Sequence, residues 1–129
     1  MTLDRLVVAR GAAGGLILAV PAAMANVVFA DQEPKSQILV NLSFVAVLVG
    51  FVLAGFVAGL DAPDQVVGHG IAAAAAAFVP IEVISILGRQ DRGDPISVPA
   101  IVIVAGFAVL GGRSGARAAA ARRARRETS

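Results

Sequence analysis

The residue best placed to do chemistry is Glu82, the one charged side chain in an otherwise apolar stretch from 65 to 88. A carboxylate inside a membrane span is costly, so it faces the bundle interior and takes a partner. Asn26 and Asn41 fall at a similar depth in neighbouring stretches, where two amides could bond the carboxyl group. Pro80 and Pro21 free the carbonyls of Ala76 and Ile17, and kinks there would open a polar cavity. Three readings of Asn26, Asn41 and Glu82 stand side by side. One is a structural hydrogen-bond network, with Arg89 or Arg92 within reach of the glutamate. The second is an ion- or proton-coupled site. The third is a contact to another membrane subunit.

His69 is the single histidine, flanked by Gly68 and Gly70. It falls in the opening turns of a helix at the membrane surface. The plain reading is an interfacial side chain touching a neighbouring helix end or headgroups. The sharper one is an interfacial switch, because imidazole titrates near neutrality. Cysteine is absent, so disulfides, thiolate metal sites and cysteine nucleophiles are excluded together. No His pair, nucleophile–base arrangement or phosphate loop is present, and Asp91-Arg92-Gly93-Asp94 is a hydrophilic turn. The expectation is a protein that is not an enzyme, with no metal and no cofactor.

The elements that must position these residues follow from where charges are missing. The 129 residues are 57% hydrophobic and 16% charged, with a mean hydropathy of +0.82. Soluble domains carry roughly 25% charged residues. Four runs lack charge almost completely, giving spans at about 6–30, 37–60, 65–88 and 95–113. Each covers the roughly 30 Å hydrocarbon core at ~1.5 Å per residue, and none alternates as a barrel strand would. The expected fold is all-α: an integral membrane bundle of four antiparallel transmembrane helices, followed by a basic cytoplasmic tail at 114–129.

The breaks carry helix-end signals. Ser36 is placed to cap the second helix. Asp61 and Asp64 would sit at the positive start of the third. Asp94 and Pro95 form a cap and first-turn proline for the fourth. Eight arginines (Arg5, Arg10, Arg113, Arg117, Arg122, Arg123, Arg125 and Arg126) fall on the side of the termini, against Lys35, Arg89 and Arg92 opposite. The positive-inside rule puts both termini in the cytoplasm. Ala23-Met24-Ala25 fits a signal-peptide cleavage site, but the apolar run continues to residue 30 and Asp4 weakens the basic region. An uncleaved first span is the reading retained. One lysine against ten arginines suggests a GC-biased bacterial genome, hence a bacterial inner membrane.

Glycine and alanine dominate the spans. In lipid, helices attract chiefly where small residues let backbones approach, so Gly50, Gly55, Gly59, Gly106, Gly111 and Gly112 are the expected packing positions. Gly55–Gly59 or the 72–77 alanine run also offers a face for self-association. Residues 54–59 echo residues 105–112, as duplicated hairpins would. The spacing Gly50-x4-Gly55-x3-Gly59, then Gly68-His69-Gly70 and Gly111-Gly112-x2-Gly115, resembles a group of uncharacterised small bacterial membrane proteins with four spans. The likeness covers residues 45–115. It implies a four-helix integral membrane protein and brings no substrate or catalytic role. The basic tail and the short, proline-bearing fourth span depart from that pattern.

Arg113 and Arg117 lie four apart on one helical face and can snorkel to phosphates. With Arg122, Arg123, Arg125 and Arg126 they should hold anionic lipid at about 1 kcal/mol per charge. Nucleic acid is not an expected partner, since the tail is short and lacks an aromatic platform. Together these features favour a structural or accessory subunit, associating with itself or another membrane protein. The alternative is a small ion- or proton-coupled channel or transporter using Glu82. The position of that glutamate in the third span, and the lack of Trp and Tyr, fit small multidrug transporters poorly.

Overall fold

The computed structural model describes residues 2–129. Four helices, α1 (Arg5–Asp31), α2 (Gln37–Asp61), α3 (Val66–Asp91) and α4 (Val98–Glu127), account for nearly all of them. Each is long and apolar enough to cross a membrane. Side-chain oxygens close three of the four N-termini. Asp4 accepts from the amides of Leu6 and Val7, Ser36 from Leu39, and Ser97 from Ala100. The α3 start has no such cap; Gln65 precedes it in the left-handed region at φ 46°.

Several boundaries differ from expectation for local reasons. Asp61 ends α2, and Asp64 belongs to the connection, so neither carboxylate caps α3. Asp94 and Pro95 stay in the α3–α4 connection, where the Arg92 guanidinium binds the Asp94 carboxylate. Ser97 takes over as cap, with Pro99 in the first turn of α4. The basic segment from 114 is helical, as its alanine-rich 116–121 stretch favours. It continues α4, and Gly115, Ala116 and Ala119 are buried. Alanine's high helix propensity sustains those added turns.

The helices touch in a closed circuit. α1 lies against α2 and α3, α4 lies against the same two, and α2 meets α3 across the middle. Gly11 faces Ala58, Gly15 faces Gly50 and Asn26 reaches Val40, so numbers rise along α1 as they fall along α2. α2 and α4 run parallel, since Gly55 meets Gly112 and Gly59 meets Ala119.

Almost nothing bulky is enclosed; the largest fully buried side chains are Phe51 and His69. Phe51 meets Phe78 with ring centroids 6.5 Å apart. The rest of the seam is glycine backbone against backbone and alanine methyl groups. A Cβ added to Gly55 or Gly115 would overlap carbonyl oxygens of Gly112 or Val52. One added to Gly112 would come 2.5 Å from the Gly70 oxygen. Gly50, Gly59 and Gly111 are also close to a neighbouring helix. Gly106 is the exception and corrects the expectation: a Cβ there meets no atom within 4 Å. The sequence echo is therefore not a structural equivalence, because Gly55 lies in the seam and its counterpart Gly106 faces outward. Gly55 and Gly59 are buried against α4, and of the 72–77 run Ala73, Ala74 and Ala77 are fully buried while Ala75 and Ala76 stay exposed.

This packing predicts opposite outcomes for two chemically equal changes. Gly55→Ala should cost at least about 2 kcal/mol, as overpacking does when only backbone lies opposite. Gly106→Ala should leave stability unchanged. Denaturant titration of helix content in lipid-like micelles separates them, and equal losses would contradict the assignment.

Candidate functional site

At the end of the bundle formed by the α1–α2 and α3–α4 connections, the helices part around a cleft of about 250 Å³. Glu82, Ser85 and Arg89 enter it from α3 at spacings of three and four, which puts them on one face. Asn26 comes from α1, Phe44 from α2 and Ser97 from the cap of α4. Glu82 is half-buried, and no side chain among the described residues hydrogen-bonds to it or pairs with it. A smaller cavity of about 50 Å³ adjoins this cleft, sharing Asn26, Glu82 and Ser85 and reaching Ala23 and Val47.

The expected trio is only partly assembled. Asn26 shares the cleft with Glu82, but its amide donates elsewhere: to the Val40 carbonyl at 2.9 Å and the Ser43 hydroxyl at 3.0 Å. The Ser43 hydroxyl is in turn 2.9 Å from the carbonyls of Leu39 and Val40. Asn41 does not join them. It is exposed and accepts from Gln37 one turn earlier at 2.9 Å. Depth was the wrong coordinate on its own, since Asn41 and Ser43 are about 200° apart around the helix. Ser43 carries the inward position because it shares a face with Val47, Gly50 and Ala54, all buried. That spacing was available in the sequence.

Arg92 is not available to Glu82 either. Its guanidinium bonds Asp31 and Asp94, both at 3.1 Å, and ties the end of α1 to the α3–α4 connection. The Asp94 bond, with support from Asp31, holds Arg92 protonated beyond the usual arginine range.

The opposite end of the bundle is closed by polar side chains. His69 is buried, 1% exposed, and touches a neighbouring helix end as expected. Its Nε2 accepts the Asp4 backbone N–H at 2.9 Å, and its Nδ1 lies 3.0 Å from the Gln65 carbonyl. An amide can only donate and a carbonyl only accept, so the ring is neutral with its proton on Nδ1. In a capping box, a glutamate three residues into the helix takes the cap's own N–H. Here Val7 occupies that position, and His69 does the work from α3. Arg123 acts similarly across α4 and α2. It donates to the carbonyls of Ala62 at 2.7 Å and Gly59 at 3.3 Å, groups left open at a helix C-terminus. That contact corrects the assignment of Arg123 to lipid. Arg122, Arg125 and Arg126 remain exposed, while Arg113 and Arg117 border a groove between α2 and α4.

Among the described residues, no group of three or more His, Asp or Glu side chains gathers as metal ligands would. The two polar ends therefore differ in kind. One holds His69 and Arg123, paired to backbone, beside a buried Gln65 side-chain oxygen without a partner; the other holds an unpaired carboxylate in a cleft.

Replacing His69 with Phe keeps the bulk and removes the acceptor, leaving the Asp4 N–H open. We expect a loss of about 1–3 kcal/mol and faster hydrogen exchange at Asp4. Unchanged exchange there would refute the latch. Asn26→Leu should cost about 1–3 kcal/mol for the same reason, since Ser43 and Val40 lose their donor. Asn41→Leu should be near neutral in the same unfolding measurement.

No protein-family model matches this chain, and neither a curated protein nor a solved structure does. Function is therefore argued from the side chains themselves.

Proposed function

We propose that this is a four-span protein of the bacterial cytoplasmic membrane, its helices antiparallel and both termini cytoplasmic. It acts there as a non-enzymatic structural or accessory subunit, as a homo-oligomer or beside another membrane protein. The observation that carries this reading is the closed middle of the bundle. Phe51, Ala54, Ala73, Ala74 and Ala77 are fully buried there, and backbones touch at Gly55, Gly112 and Gly70. A middle packed this way supports an action exerted through what the chain binds. The outward face is apolar, with Ile17 78% and Ile38 72% exposed. Lipid or another apolar protein face suits such a surface. The arginine excess on the side of the termini supports the orientation, and the pairing order of α1 with α2 supports the antiparallel arrangement. The commitment of the single histidine to a backbone amide supports the absence of acid–base catalysis.

A second reading rests on one specific observation, the unpaired Glu82 carboxylate in a cleft that reaches Arg89 and Ser97. In that case the chain is a small ion- or proton-coupled channel or transporter, with Glu82 as the coupling group.

Native mass determination after extraction in lipid nanodiscs, combined with flux assays in proteoliposomes, decides between the two. The accessory reading expects a homo-oligomer or a stoichiometric complex, with Glu82→Gln leaving ion and proton leak at background. A chain whose ion or proton flux is abolished by Glu82→Gln, with normal folding, would overturn it in favour of transport.

A further inference from the structure

The groove between α2 and α4 has a polarity that neither helix shows alone. Its volume is about 480 Å³, and Leu48, Val52, Phe107 and Leu110 form its apolar walls. Arg113 and Arg117 stand together at one end of it with the Ser114 hydroxyl. Val52, Phe107 and Leu110 are 39%, 43% and 60% exposed, so a large apolar surface remains uncovered. Neither arginine makes an ion pair among the described residues.

The depth of the charged end is informative. Gly112 abuts Gly55 and Gly70, six residues before α2 ends and four after α3 begins. Arg113, one residue further out, therefore leaves α4 about 5–8 Å inside the ends of α2 and α3. From there Arg117 lies one turn outward, toward the basic end. Leu110 and Phe107 lie one to two turns the other way. Positive charge at the rim with an apolar trough leading inward complements a molecule with an anionic head and a long hydrocarbon chain. Arg117 to Phe107 spans ~15 Å of helix, about half the hydrocarbon thickness and so about one acyl chain. The other arginines of this end differ. Arg123 is held by α2 carbonyls, and Arg122, Arg125 and Arg126 do not line this groove.

We propose that the α2/α4 groove is a binding site for one anionic phospholipid. Its phosphate sits between Arg113 and Arg117, and one acyl chain runs along Phe107, Leu110, Val52 and Leu48. This rests on the membrane reading above. It goes beyond a diffuse attraction of the basic segment for negative surfaces, because it names a stoichiometry and excludes most of the arginines.

The test is native mass spectrometry of the full chain, released from nanodiscs containing phosphatidylglycerol or phosphatidylcholine. One phosphatidylglycerol should persist on the wild type, and phosphatidylcholine should be stripped. Arg113→Gln with Arg117→Gln should lower retention about tenfold or more. Arg122→Gln, Arg125→Gln and Arg126→Gln together remove more charge and should retain the lipid. Val52→Trp, which fills the trough and leaves every charge in place, should also release it. Equal loss in the distal triple variant, equal retention of phosphatidylcholine, or full retention by the Arg113/Arg117 double variant would overturn the site. The membrane fraction is scored separately. A chain that stays in the membrane but fails these comparisons refutes this site alone, and a chain recovered in the soluble fraction refutes the membrane reading.

Discussion

Backbone contact at Gly55, Gly70 and Gly112 is the constraint on which the rest of the structure depends. Three helices meet there with no side chain larger than an alanine methyl at the contact. In water such a seam would be a poor core, because glycine and alanine bury little apolar area. In lipid the balance changes. The surroundings are as apolar as the interior, so no hydrophobic gain separates inside from outside, and the dense atomic contact of close backbones becomes the main attraction. The exposed Leu, Ile and Val side chains and the small buried residues thus express one design. Bulk faces the solvent that welcomes it, and smallness is kept for the seam.

That seam dictates where polar chemistry can occur. Helices packed so tightly leave no room at their middle, and polar side chains are pushed to the two ends. At the end shared by the termini, His69 and Arg123 saturate backbone groups that helix ends leave open. Both interactions join elements distant in sequence, so they fix α1 to α3 and α4 to α2. At the other end the helices diverge. Asn26 and Ser43 stitch α1 to α2, while Arg92 stitches the two connections together. What is left over is Glu82, beside Ser85 and Arg89 in the cleft.

The four spans were legible because a membrane requires long uncharged runs, and composition displays these directly. Their ends were less so. Ser36 was found by type and position, whereas Asp94 was misassigned: Ser97 caps α4, and Arg92 binds the Asp94 carboxylate. Glycine positions were legible as a class. Sorting Gly106 from Gly55 required knowing which side of α4 faces α2, and helices with bulk outside give only a weak facial signal. The polar cluster was half visible for a related reason. Depth can be counted along a sequence, but facing needs the helical angle, which separates Ser43 from Asn41. His69 was noticed as unusual. Its contact with a neighbouring helix end was legible, but not the partner atom, a backbone amide 65 positions away, because backbone donors leave no trace in residue type.

The central claim is that three helices meet through glycine backbones in the bilayer. Magic-angle-spinning NMR of the glycine-labelled chain in lipid bilayers tests it most directly, through carbon–carbon correlations from Gly112 to Gly55 and to Gly70. The account predicts both cross-peaks, together with none from Gly112 to lipid acyl chains. Intact helices lacking both peaks, or a Gly112 carbon in contact with acyl chains, would contradict it.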